Sequence, residues 1–167
     1  TLAAKKALSK QTVLIHGIAF TDKDMELLAE HQCNVVWCPV SNLYMFEQTA
    51  RVKELMDMGI NVTLGTDSPM SGSFSIFEEF RTAREFYQYA YGRAIDDRAL
   101  VDMMTMNAAR AMCLPDAGEI AEGKAADLLL IDGNSTNPWA ALTHADYADI
   151  MLVIAEGQPR YGDIAFA

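Results

Sequence analysis

The chain has 167 residues, 51% of them apolar and 22% charged, which suffices for one ordinary domain with a sizeable core and is unlike a disordered composition. A formal charge of −10, with no basic stripe, argues against nucleic acid as a partner. No apolar run approaches the ~18 residues of a membrane span and no secretory leader is visible, so a cytoplasmic protein without a membrane partner is expected. The first residue is Thr, not Met, which suggests a piece cut from something longer.

Residues 1–10, "TLAAKKALSK", read as an amphipathic helix with Lys on one side. "TVLIHGIAF" is a short β-branched strand. "TDKDMELLAEHQ" is a helix with Thr21 as N-cap, Asp24 three residues on and apolar Met25, Leu27 and Leu28 behind. "NVVWCPV" is a second strand, "SNLYMF" a loop, and "TARVKELMDMG" a helix that ends at Gly59. "INVTLGTD" is the third strand. Two long helices follow, over about 75–91 and 96–114, the second opened by an acidic turn that suits the helix dipole.

The strands are nearly continuous apolar runs alternating with helices, so a parallel sheet with helical cover is expected. After Pro115 the pattern changes. "AGEIAEGKAADLLLIDG" and "ADIMLVIAEGQPRYGD" hold short strands separated by Gly and charged turns, and the segment around Trp139 reads as a loop. Residues 117–167 therefore read as part of a β-rich domain and residues 1–116 as α/β. Three βα units cannot close a (β/α)₈ barrel, which takes eight units and typically ~250 residues, so these look like the last strands of something begun upstream.

His16 stands at the C-terminal end of the first strand and Asp67 at that of the third, the face where parallel α/β folds place function. A carboxylate that holds a cation and an imidazole that moves protons is the pairing metal-assisted hydrolysis requires. Ser41 and Asn42, after the second strand, and Ser68 are placed to line the same pocket. Each has a plainer reading: His16 as a core histidine bonded to backbone, Asp67 as a helix cap or turn former before Ser68-Pro69, Asn42 as a turn residue. His31 and His144 have no paired ligand nearby. Cys33, Cys38 and Cys113 lack C-x-x-C spacing and are expected as buried, reduced thiols. "MMTMNAARAM" reads as core filling, and Glu78, Glu79 and Arg81 as a solvated helix face.

Taken together, "VLIHG", "VVWCPVSN", "GINVTLGTDSPMSG", "MNAARAM" and "GEIAEGKAADLLLID", in that order over roughly residues 12–132, resemble the C-terminal part of the amidohydrolase superfamily. The cytosine deaminase-like and chlorohydrolase-like groups are the nearest in pattern, and "VIAEGQPRYGD" resembles the family's closing strand. The resemblance implies a (β/α)₈ TIM barrel with a small β-sandwich, and places the three strands as barrel strands 6, 7 and 8. It implies that Asp67 is the strand-8 metal ligand and takes a proton from the activated water. His16 would assist proton transfer, or ligate the metal as in binuclear relatives. The implied cofactor is a divalent metal, zinc or iron. The implied reaction is hydrolysis of a C–N bond in a heterocyclic small molecule, with chloride or an alkylamine as alternative leaving group, and homo-oligomers are common in the family. The family's H-x-H pair and further histidine are not in this sequence and would lie upstream of Thr1. The chain alone is therefore expected to hold metal weakly and to hydrolyse nothing, and a non-catalytic binding or assembly domain is the competing reading.

Overall fold

A computed structural model describes residues 3–133 and 135–162. Three strands, β1 (Val13–Ile15), β2 (Asn34–Trp37) and β3 (Asn61–Leu64), form a parallel sheet in the order β1-β2-β3. Because all three run the same way, His16, Cys38 and Gly65, each following a strand, emerge at one edge. The connections are helical: α1 (Asp22–Glu30) returns the chain from β1 to β2, and α2 (Pro39–Phe46) and α3 (Val52–Asp57) return it from β2 to β3.

The caps explain the helix starts and stops. Thr21 and Asp24 form a reciprocal capping box on α1, as the sequence suggested. Gly59 follows α3 with φ +74°, the left-handed conformation that glycine adopts without a Cβ penalty. Helix α4 (Ile76–Tyr91) starts from Ser75, whose side chain accepts from the Glu78 N–H, and stops at Gly92 with φ +66°.

Four expectations are corrected. The segment expected as an N-terminal helix is a 3-10 turn, Ala3–Lys5, followed by turns, with residues 1 and 2 outside the described range. "SNLYMF" belongs to α2, whose Pro39 sits in the first turn where its missing N–H is no loss. The helix expected over 96–114 breaks into α5 (Asp97–Met104) and α6 (Met106–Ala111) at Thr105, whose hydroxyl bonds back to the Val101 carbonyl at 2.8 Å. The loop around Trp139 contains α7 (Pro138–Thr143), capped by the Asn137 side chain, which accepts from the Trp139 N–H.

The second sheet is antiparallel, β4 (Leu128–Ile131), β5 (Ile150–Ala155) and β6 (Gln158–Gly162), in that order. Glu156 and Gly157, at φ +53° and +73°, make the tight turn between β5 and β6. Asp163, the last residue of the expected closing strand, lies outside the described range, as do residues 164–167. The two parts are joined by helix packing: α7 lies on α5, the Thr143 hydroxyl donates to Asp97, and Arg84 donates to the Thr143 carbonyl.

The core lies between the parallel sheet and its helices, around Trp37, Val35, Val62, Leu55, Phe80 and Leu100, all at 2% exposure or less. Cys33 and Cys38 are buried within it, whereas Cys113 is exposed, contrary to expectation, because it follows the short α6 at the surface. Of the methionines in "MMTMNAARAM", Met103 fills the core while Met106 and Met112 face outward. Among the described residues no helix is long and apolar enough to cross a membrane.

Candidate active site

At the C-terminal edge of the parallel sheet the backbone bends sharply at both candidate residues. His16 has φ +72° and Asp67 φ +56°, the left-handed region, in which His and Asp are over-represented among non-glycine residues. In each case the turn swings a polar side chain away from the strand direction and over the edge. Gly17, at φ +68°, completes the first bend, and a Cβ there would lie 2.7 Å from the Phe20 ring.

The imidazole is oriented by a defined chain of hydrogen bonds. His16 Nδ1 lies 2.7 Å from Asn42 Oδ1, and Asn42 Nδ2 lies 3.0 Å from Thr49 Oγ1 and 3.4 Å from the His16 carbonyl. A carbonyl can only accept, so the Asn42 amino group must face it, which leaves Oδ1 to accept from Nδ1–H. Thr49 Oγ1 also accepts from Trp37 Nε1 at 2.7 Å, tying the chain to the core. With Nδ1 carrying a proton, Nε2 is the ring nitrogen presented towards Asp67.

His16 Nε2 lies 3.9 Å from Asp67 Oδ2. That is too long for a hydrogen bond but within the span of two ~2.0–2.2 Å zinc–ligand bonds. The Ser41 hydroxyl donates to Asp67 Oδ2. This bond, with help from the Ser68 backbone, the nearby His16 ring and the Ser71 side chain, outweighs burial and holds the Asp67 carboxyl below its ordinary value. The site thus has an ionised carboxylate and an oriented imidazole, both roughly one-third exposed, at 27% and 31% for their side chains. The donors suit a borderline cation such as zinc, and two of them converge. Among the described residues no cluster of three or more His, Cys, Asp or Glu side chains forms a metal site.

Ser41 and Asn42 are fully buried and act on Asp67 and His16. Ser68 is exposed, and its hydroxyl accepts from the Met70 N–H. His31 is a C-cap residue of α1, and exposed His144 bonds its own helix, so neither joins the site. Beside His16 opens an apolar cavity of about 700 Å³ lined by Leu14, Ile15, Phe20, Leu28 and Phe46.

Sequence reading missed three residues. Thr49 orients Asn42. Gly72 lets the loop after Asp67 fold back: a Cβ there would collide with the Thr66 carbonyl and lie 3.2 Å from Asp67 Cβ. Glu79, expected on a solvated face, is fully buried, with Oε1 2.5 Å from Ser73 Oγ and Oε2 3.2 Å from the Val40 amide. The loop after β3 and the start of α2 supply these partners, which the spacing along α4 does not reveal.

Two outcomes follow from this geometry. Gly72→Ala is expected to cost about 1–3 kcal/mol, because the clash is with backbone that cannot swing aside, and a shift in the denaturation midpoint checks it. Ser41→Ala removes a hydrogen bond that favours the charged carboxylate, so the Asp67 pKa rises and any acid limb of activity that it governs moves to higher pH. A pH profile of kcat/KM in the intact natural protein measures that shift.

The sequence profile of the amidohydrolase family matches residues 2–159, and the chain belongs to that family. It is 39% identical over 135 residues to a 5'-deoxyadenosine deaminase of Methanothrix thermoacetophila, covering 79% of this chain and 32% of that one. It is 32% identical over 161 residues to a 5-methylthioadenosine/S-adenosylhomocysteine deaminase of Haloarcula marismortui, covering 90% and 37%. An adenosine deaminase structure from Xanthomonas campestris with bound zinc superposes with a TM-score of 0.89 at 26% identity, covering 96% and 39%. The chain spans about a third of the length of the curated relatives it matches. The fold is thus of the TIM-barrel type, and zinc-bound neighbours support a divalent metal as cofactor.

Proposed function

We propose that this chain is the C-terminal part of a metal-dependent deaminase that acts on the adenine ring of a nucleoside and releases ammonia. The observation that carries the reading is the convergence of His16 Nε2 and the Asp67 carboxylate at the C-terminal edge of a parallel sheet. Support comes from relatives more than 30% identical that are named as deaminases of adenine nucleosides. In this reading β1, β2 and β3 are barrel strands 6, 7 and 8, residues 1–116 belong to the barrel, and residues 117–167 belong to the β-sandwich.

Asp67 and, with it, His16 would hold the metal, whose remaining ligands come from upstream strands. A divalent cation there, zinc before iron, supplies the Lewis acidity that makes water a nucleophile near neutral pH. Asp67, ionised through its Ser41 bond, accepts the proton of the attacking water. His16, held by Asn42 with Nε2 turned inward, steadies the developing tetrahedral centre and helps pass the proton to the leaving amine. Ser41 and Asn42, fully buried, act through Asp67 and His16, and the exposed Ser68 lies on the substrate side. Attack at the ring carbon bearing the exocyclic amine leaves an oxo group on the ring and ammonia in solution. The substrate is a free small molecule and the compartment the cytoplasm, in keeping with unpaired thiols at Cys33 and Cys38.

The test is ammonia release from 5'-deoxyadenosine and from 5-methylthioadenosine by the intact natural protein, with and without chelation. Zinc-dependent release from either nucleoside is the expected result. Release of chloride or alkylamine from a triazine, with no nucleoside turnover, would assign a different leaving group, and a metal-free inactive protein would favour the binding-domain reading.

A further inference from the structure

Glu79 has no role in the reaction just described, yet it is the one carboxylate among the described residues with no exposed surface at all. It lies in the first turn of α4 and reaches between two segments of the candidate site. Its Oε2 accepts from the Val40 N–H at 3.2 Å, in the first turn of α2, the helix that carries Ser41 and Asn42. Its Oε1 lies 2.5 Å from Ser73 Oγ, in the loop that starts at Asp67. The Ser73 N–H in turn donates to the Thr66 carbonyl at 3.1 Å, next to Asp67.

Two observations bear on the proton. The first is a count. Ser73 Oγ lies at hydrogen-bond distance from two oxygens, Glu79 Oε1 and the Ser75 carbonyl at 3.0 Å. A hydroxyl has one proton to donate, and the Ser75 carbonyl has none. If Ser73 donates to Ser75, the short contact to Glu79 needs a proton that only the carboxyl can supply. The second is the surroundings. No Lys, Arg or His among the described residues forms an ion pair with Glu79, and a fully buried charge without a partner is costly.

Among the described residues, the charged and titratable groups facing Glu79 are all acidic or thiol: Glu78 on its own helix, Asp67 on the β3 loop and Cys38 at the end of β2. Against these, a hydrogen bond from the Ser73 hydroxyl and the Val40 amide at the α2 N-terminus favour a negative charge there, and burial outweighs both. Burial dominates and pushes the Glu79 carboxyl up, and the Glu78 and Asp67 charges act in the same direction.

We propose that Glu79 is a neutral carboxylic acid in the folded protein and a positioning residue of the site. It donates its proton to Ser73 Oγ and accepts from Val40 N–H, and so joins the loop that carries Asp67 to the helix that carries Ser41 and Asn42. Neutrality leaves Asp67 the only anion among the residues that this network joins, so a cation bound there meets one localised charge. The linkage sign follows: a carboxyl whose pKa is raised on folding stabilises the fold while protonated, and that contribution is lost as pH rises through the folded value.

The test does not depend on the proposed reaction. Infrared difference spectra of the intact natural protein against Glu79→Gln at neutral pH should show a protonated-carboxyl C=O stretch that the variant lacks. Gln offers the same pattern, an N–H to Ser73 and a carbonyl to Val40, so E79Q should fold. It should also lose the fall in stability that the natural protein shows as pH rises through the Glu79 pKa. Glu79→Met keeps the volume but not the bonds, and Val40 amide exchange should quicken about tenfold in it while staying unchanged in E79Q. A carboxylate band for Glu79 at neutral pH would overturn the neutral acid. Unchanged Val40 exchange in a folded E79M would overturn the positioning role. Either result can be read whether or not the protein deaminates a nucleoside.

Discussion

Asp67→Asn in the intact natural protein is expected to lower kcat/KM for an adenine nucleoside by about 10³-fold, within the range that a positioned proton acceptor contributes. Asn has nearly the same shape, and its side-chain oxygen can still accept from the Ser41 hydroxyl, so the loop should stay in place. What disappears is the negative charge and the ability to take a proton. The Asp67 side chain is 27% exposed, so its replacement should leave the denaturation midpoint almost unchanged. Steady-state ammonia release beside a denaturation curve separates the two effects. If Asp67 were only a turn former, Asn, which tolerates the left-handed conformation equally well, would retain activity within a few-fold.

The largest stability effect is expected at Trp37. It lies in the central strand with no exposed surface, packs edge-to-face on Phe86 at 6.4 Å between ring centroids, and donates from Nε1 to Thr49. Trp37→Ala should cost about 3–5 kcal/mol, the range for removing a large aromatic from a closed core. Trp37→Phe should recover most of that, since it restores ring volume and loses only the hydrogen bond. The same variant should perturb the site mildly, because Thr49 loses one of its two donors and is the group against which Asn42 and then His16 are set. Denaturant midpoints measure the first effect and the pH profile of activity the second.

The elements that the sequence made legible are those whose signals are local. Thr21 with Asp24 three residues on and Gly59 after α3 each carry their cap in the chain itself, and each element begins or ends there. The α/β alternation fixed the direction of the three strands, and direction alone puts His16 and Asp67 at one edge. Their approach to 3.9 Å, the Ser41 bond and the Asn42–Thr49 chain join residues far apart in sequence, and they emerged only with the fold.

Two of the unexpected helices share a cause. Helices α2 and α7 have eight and six residues, too short for a clear 3.6-residue period, and both were masked by residues that read as loop formers. At Thr105 the break in a strongly helical pattern comes from a side-chain bond to the Val101 carbonyl, beside Gly118, where a Cβ would lie 2.9 Å from the Thr105 carbonyl. Glu78 and Arg81 beside Glu79 give that stretch the pattern of a solvated face, whereas α4 turns Glu79 onto the start of α2. A buried carboxyl is decided by what packs against it, and its own segment is silent on that.

The most direct test of the account is an anomalous-scattering map at the zinc edge from crystals of the intact natural protein. The prediction is a peak at about 2.0–2.2 Å from an Asp67 carboxylate oxygen, on the side facing His16 Nε2. A well-occupied peak elsewhere, with Asp67 bonded only to Ser41 and its own loop, would contradict it.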